Sequence, residues 1–256
     1  MPAASLLFCE ASQGEALPRL EPLLLAISRS RPLTFVEPLV DGGSLGLFLL
    51  EKRVIDNLYL NAEDAGAFAF LQVALGKSCG NRREMNWLAK WAMEPRWASD
   101  RANVGEDHSS VRLQALAYVN RQVAAVTDAG VATEPAFRET VKTHIEHLYG
   151  LRGRVKGVAS LAWRSFIETL HTNYGDNRLF HFNASLLPSA AAIEVAQACH
   201  ELTVPWSFYG TPQLALKDHL IAGFEDATVS AASPEWYSNF PALARNAQRG
   251  ALAQAA

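Results

Sequence analysis

The sequence predicts a mixed, helix-dominated α/β protein, with a small sheet built from βαβ-like units at both chain ends and packed with a central layer of antiparallel helices. Two patterns lead to that class. Near each end, short apolar runs flank a helical stretch, and between them residues 61–175 carry apolar side chains that recur every three to four positions. Size agrees. With 256 residues, 49% of them hydrophobic and 19% charged, the chain buries a core without disulfide or metal staples.

Taken in order, residues 5–9 form an apolar run that reads as a strand, residues 15–27 as a helix despite Pro18 and Pro22, and residues 33–36 as a second strand. Asp41-Gly42-Gly43 signals a turn, after which the apolar run 45–50 is expected to pair back as a hairpin strand. Asn61 is placed to cap a helix through Leu75, and Asn81 another that ends near Pro95. Three amphipathic stripes follow: Leu113, Leu116, Val119, Val123 and Val126 behind Ser109 or Ser110; Phe137, Val141, Ile145 and Leu148 between Thr133 and Gly150; then Val155, Ala159, Ala162, Phe166 and Leu170. Residues 179–182 and 206–209 read as strands around a helix over 189–202. Pro212 and Pro234 are positioned to open further helices. Residues 1–244 are expected to form one globular unit, strand-rich over 1–60, helical over 61–175 and βαβ-like over 176–244, with 245–256 a frayed tail.

A net charge of −3 argues against a surface wholly dedicated to a polyanion, though not against a local basic patch. Cys9, Cys79 and Cys199 form no Cys-x-x-Cys pair, so neither a disulfide framework nor a zinc ribbon is suggested, and a reducing cytoplasmic setting is expected. The first residues lack the basic and long apolar segments of a secretory signal, and the longest apolar runs fall far short of the ~20 residues of a spanning helix. No membrane association is expected.

Catalytic patterns do not assemble. His144, Glu146 and His147, with Glu168 and His171, have metal-like spacing, but at 100° per residue His144 lies within an apolar stripe while Glu146 points away. Cys199 and His200 are adjacent on a helix and diverge by about 100°. Cys9 ends a strand, yet acids follow it at Glu10 and Glu15. Gly76-Lys77-Ser78 ends like a phosphate-binding loop, but Leu71 stands where the opening glycine belongs. Neither Gly-x-Ser-x-Gly nor Gly-x-Gly-x-x-Gly is present. No cofactor and no metal are implied.

Two surfaces stand out instead. Arg152, Arg154, Lys156 and Arg164 follow one another with no acid between His147 and Ile167, and glycines at 150, 153 and 157 allow close backbone approach to phosphate. A solvated turn between two helices accounts for the same residues. Arg82, Arg83, Trp87 and Trp91 interleave bases with aromatics, a composition suited to unpaired nucleotides or to a protein partner, and equally to tryptophans filling a core. The expectation is a non-catalytic binding or accessory protein acting through its helical half, with a protein partner and, through the basic loop, RNA or DNA. The alternative is an enzyme whose site lies in the cleft between the two βαβ-like units, with Glu10 and Tyr209 at strand ends and His181 beside the late strand.

Overall fold

The computed structural model describes residues 24, 32–40, 45–78, 82–94, 110–130, 132–171, 177–183, 189–202, 206–210 and 235–238. Six strands form one sheet: β1 (Leu33–Glu37), β2 (Asn57–Asn61), β3 (Val155–Ala159), β4 (Asn177–Asn183), β5 (Trp206–Gly210) and β6 (Glu235–Ser238), in the order β3-β2-β1-β4-β5-β6. The first five are mutually parallel, and β6 closes the far edge antiparallel to β5. Seven helices are described: α1 (Leu45–Glu51), α2 (Ala65–Ala74), α3 (Arg82–Ala92), α4 (Val111–Asp128), α5 (Glu134–Leu151), α6 (Trp163–His171) and α7 (Ser189–Glu201). None of them is long and apolar enough to cross a membrane.

This corrects the expected architecture of a small sheet assembled from the two chain ends. The sheet runs through the whole described molecule, and its edge strand β3 comes from the middle of the chain. The spacing of Val155 and Ala159 predicts a helix over residues 155–159, but side chains four apart share a face in a strand as well as in a helix, and the segment is a strand. Residues 45–50, which read as a hairpin strand, are helix α1. Apolar on nearly every side, that run has no period with which to tell a buried helix from a buried strand. Residues 235–238 form strand β6, not a helix opened at Pro234. Residues 5–9, most of 15–27, the turn at 41–43, Pro212 and the tail lie outside the described residues.

Core residues divide between the two faces of the sheet, as strand alternation requires. Phe35, Leu58, Leu60 and Leu179 pack beneath α1–α5 in the larger cluster, while Val36, Phe180, Phe182 and Trp206 pack with Phe166, Ile167 and Leu170 of α6 and Val195 and Cys199 of α7. Helices on both faces of a parallel sheet make the molecule doubly wound. Four of those helices, α2 to α5, lie within the single connection from β2 to β3.

Local chemistry sets the helix starts. Asp64, and not Asn61, caps α2 by accepting from Ala67 N at 2.7 Å, and Ser110 caps α4 by accepting from Leu113 N at 3.4 Å. Pro135 occupies the first turn of α5, where its missing N–H costs nothing. Asn61 closes β2, which frees it for a different task.

Candidate functional site

The chain leaves β1 toward β2 and β3 on one side, then crosses back to place β4 on the other side of β1. A reversal of this kind is where open parallel sheets take their ligands, outside the carboxyl ends of the two strands, here β1 and β4. The described side chains at those strand ends are polar and buried. Glu37, the last residue of β1, is 2% exposed, Asn183, the last of β4, is 5% exposed, and Asn61 at the end of neighbouring β2 is fully buried.

Glu37 accepts a hydrogen bond from Gly46 N at 3.1 Å, tying the end of β1 to the first turn of α1. Gly46 has no room for a side chain. A Cβ there would stand 2.7 Å from Glu37 Oε2 and 3.0 Å from Phe35 Cδ1, so glycine is what lets α1 lie directly on β1 and β2. Asn61 fastens the same edge: its Nδ2 donates to Pro38 O and to Leu161 O, both at 2.9 Å, and its Oδ1 accepts from Leu161 N at 2.9 Å. One side chain thereby joins the segments that follow β1, β2 and β3. Glu63 adds a fourth tie, accepting from Trp163 N at 2.7 Å at the start of α6.

His181, expected beside the late strand, lies within β4 and inside the sheet, stacked on Phe35 with ring centroids 5.5 Å apart and its Nδ1 2.9 Å from Ser207 Oγ. Full burial pushes its pKa down to about 3, so it is neutral at physiological pH. Tyr209 lies in β5, and Glu10 and Cys9 are outside the described residues. His144 is buried within the helical layer, its pKa lowered to about 3 by desolvation and secondarily by His147. Cys199 is buried on α7, and burial raises its thiol pKa well above the usual range. Among the described residues no three His, Cys, Asp or Glu side chains converge as metal ligands.

The basic segment after α5 joins a helix to a strand, so the helix expected to follow it gives way to β3. Arg154 turns inward. Its guanidinium donates to Leu50 O, Ile55 O and Asp56 O, which pins the turn between α1 and β2 against β3. Arg152 lies over the Tyr149 ring, 4.1 Å from its centroid, and donates to Tyr149 O at 2.9 Å, while Lys156 is exposed on β3. Arg164 sits apart on α6, over the Trp163 ring at 5.0 Å and 3.6 Å from Glu194. On α3, Arg82 and Arg83 are exposed, whereas Trp87 and Trp91 are half-buried against the core with ring centroids 6.3 Å apart.

Sequence reasoning missed Glu37, Gly46, Asn61 and Asn183. A partial signal was present, since Asp41-x-Gly43-x-x-Gly46 departs from Gly-x-Gly-x-x-Gly only at its first position. It was hidden because that fingerprint is specific only between a strand and a helix, and α1 had the composition of a strand. No known protein-family model matches this chain, and no curated protein matches its sequence.

Proposed function

We propose that the protein binds a nucleoside-bearing small molecule in the crevice outside β1 and β4, which is the enzyme-type reading of the sequence relocated to the residues that line the strand ends. The observation that carries it is the strand order 3-2-1-4-5-6 with its reversal between β1 and β4, since open parallel sheets take their ligands at that point and this order is the one associated with nucleotide-type cofactors. Fold analogy alone supplies that association. Two local features support it. Gly46 makes the close helix-to-sheet contact that the last glycine of the dinucleotide fingerprint makes, and Glu63 follows Gly43 by 20 residues, the spacing at which an acid meets ribose hydroxyls. Charge narrows the ligand: Glu37 already occupies an amide of the first turn of α1, the place where a pyrophosphate would dock.

A carboxylate there repels polyphosphates and favours ligands that bring hydrogen-bond donors or positive charge. The ligand class is therefore a nucleoside without a phosphate chain, with an ammonium or similar cation preferred. Titration calorimetry with adenosine, S-adenosylmethionine, ATP and NAD tests this. S-adenosylmethionine is expected to bind most tightly, and Glu37→Gln, which keeps an acceptor for Gly46 N, to weaken it about 10-fold, or about 1.4 kcal/mol, with less effect on adenosine. Tightest binding of ATP or NAD, or binding of none of the four, overturns the reading.

A further inference from the structure

At the amino edge of the sheet α2 and α5 end and β3 begins, and Lys77 and Arg152, just past the two helix ends, and Lys156 of β3 are all exposed. Tyr149 organises them. Its ring rests on Gly76, where a Cβ would come within 2.9 Å of Cε2, and carries the Arg152 guanidinium 4.1 Å from its centroid, so Lys77 and Arg152 flank one aromatic ring. Gln72 Nε2 donates to Val158 O at 3.2 Å and holds the end of α2 against β3, which brings in Lys156. Arg154, its donors committed to three backbone carbonyls, fixes the adjoining turn that bears exposed Lys52 and Arg53 between exposed Glu51 and Asp56.

We infer that Lys77, Arg152 and Lys156, extended by Lys52 and Arg53, form a docking ridge for the phosphate backbone of nucleic acid on the amino edge of the sheet. Two helix ends favour neighbouring cations, but the ridge holds more than their dipoles call for. Among the described residues, none of the three central cations pairs with a carboxylate. They also oppose one another: the Lys77 pKa is lowered, first by partial burial and then by Lys156 and Arg152. A row of exposed, mutually repelling cations suits repeated phosphates better than one small anion. Because the Tyr149 ring is covered by Gly76 and Arg152, it positions the guanidinium and leaves no face for a base. Binding is therefore independent of sequence.

Fluorescence anisotropy of a labelled 20-base-pair duplex, titrated with the full chain at 50 and 200 mM salt, tests the ridge. The triple variant Lys77→Ala, Arg152→Ala, Lys156→Ala is expected to bind at least 10-fold more weakly, with the slope of log affinity against log salt reduced by about 2 to 3, near 0.9 for each phosphate no longer neutralised. Its circular dichroism melting point should fall by no more than a few degrees, since Lys77 and Lys156 are exposed and Arg152 gives up only a surface hydrogen bond and ring contact at Tyr149, and Arg152→Lys should retain most of the binding. An Arg121→Ala variant, which removes a cation paired with Asp64 at the carboxyl edge, serves as the control and should bind like wild type. Wild type that fails to bind at 50 mM salt, a triple variant with unchanged affinity and slope, or tighter binding of polyglutamate than of duplex each overturns the inference, the last in favour of an acidic protein partner.

Discussion

His144 and His181 show how burial alone decides the state of a side chain. Both are held near a pKa of about 3, against an ordinary value of 6.5, mainly because the imidazolium would lose its hydration. The sign of the consequence follows from linkage. Below pH 6.5 the unfolded chain takes up protons that the folded chain refuses, so the stability these groups contribute is full above 6.5 and falls as the pH drops toward 3. By pH 5 the loss should reach about 2 kcal/mol per histidine, from 2.303RT for each pH unit. Urea unfolding between pH 7.5 and 4.5 checks this: stability should decline over that range, and His144→Gln or His181→Gln should each flatten the decline by about one proton. A flat wild-type profile would show that these residues charge in place. Of these facts the sequence disclosed the apolar stripe that buries His144, but not the neighbours of His181, because Phe35 and Ser207 reach it across strand pairings.

At the scale of elements, the carboxyl edge depends on Asn61. Its side chain makes three hydrogen bonds to main-chain groups that follow β1 and β3. Replacing Asn61 with alanine should cost about 2–4 kcal/mol, since buried carbonyl and amide groups lose their partners, and leucine should do no better because shape is not what is lost. Chemical denaturation of Asn61→Ala and Asn61→Leu measures this; a cost under about 1 kcal/mol in both would mean that the segments are held by other interactions. Asn61 is legible in the sequence only as a capping residue, and Asp64 three positions on takes that task. Strand β3 was hidden for a related reason, because Leu58 and Tyr59 supply its pairing from almost a hundred residues away.

For the whole molecule, the sheet order sets the hierarchy of stability. Strands β1 and β4 lie between neighbours on both sides and beneath helices on both faces, whereas β3 and β6 are edges. Amide hydrogen exchange should therefore be slowest at Phe35, Val36, Leu179 and Phe180, where opening approaches global unfolding, and at least 10-fold faster in β3. Equal protection of β3 and β1 would mean that the edge is covered by more than the described residues show. Charges are mixed at both edges, with Arg121 on Asp64 toward the carboxyl edge, and Glu51 and Asp56 among Lys52, Arg53, Lys77, Arg152 and Lys156 toward the amino edge.

The sequence by itself determined the mixed, helix-rich class, the strands at 33–37, 177–183 and 206–210, and the helices α2 to α5 and α7 to within a few residues, because period, caps and breakers act over short distances. Tertiary structure decided that residues 45–51 are helix and 155–159 strand, that the sheet reverses between β1 and β4, and which of the clustered bases point inward. Those outcomes depend on pairing and packing partners far away in the chain, and a local pattern compatible with two conformations takes the one its distant neighbours complete.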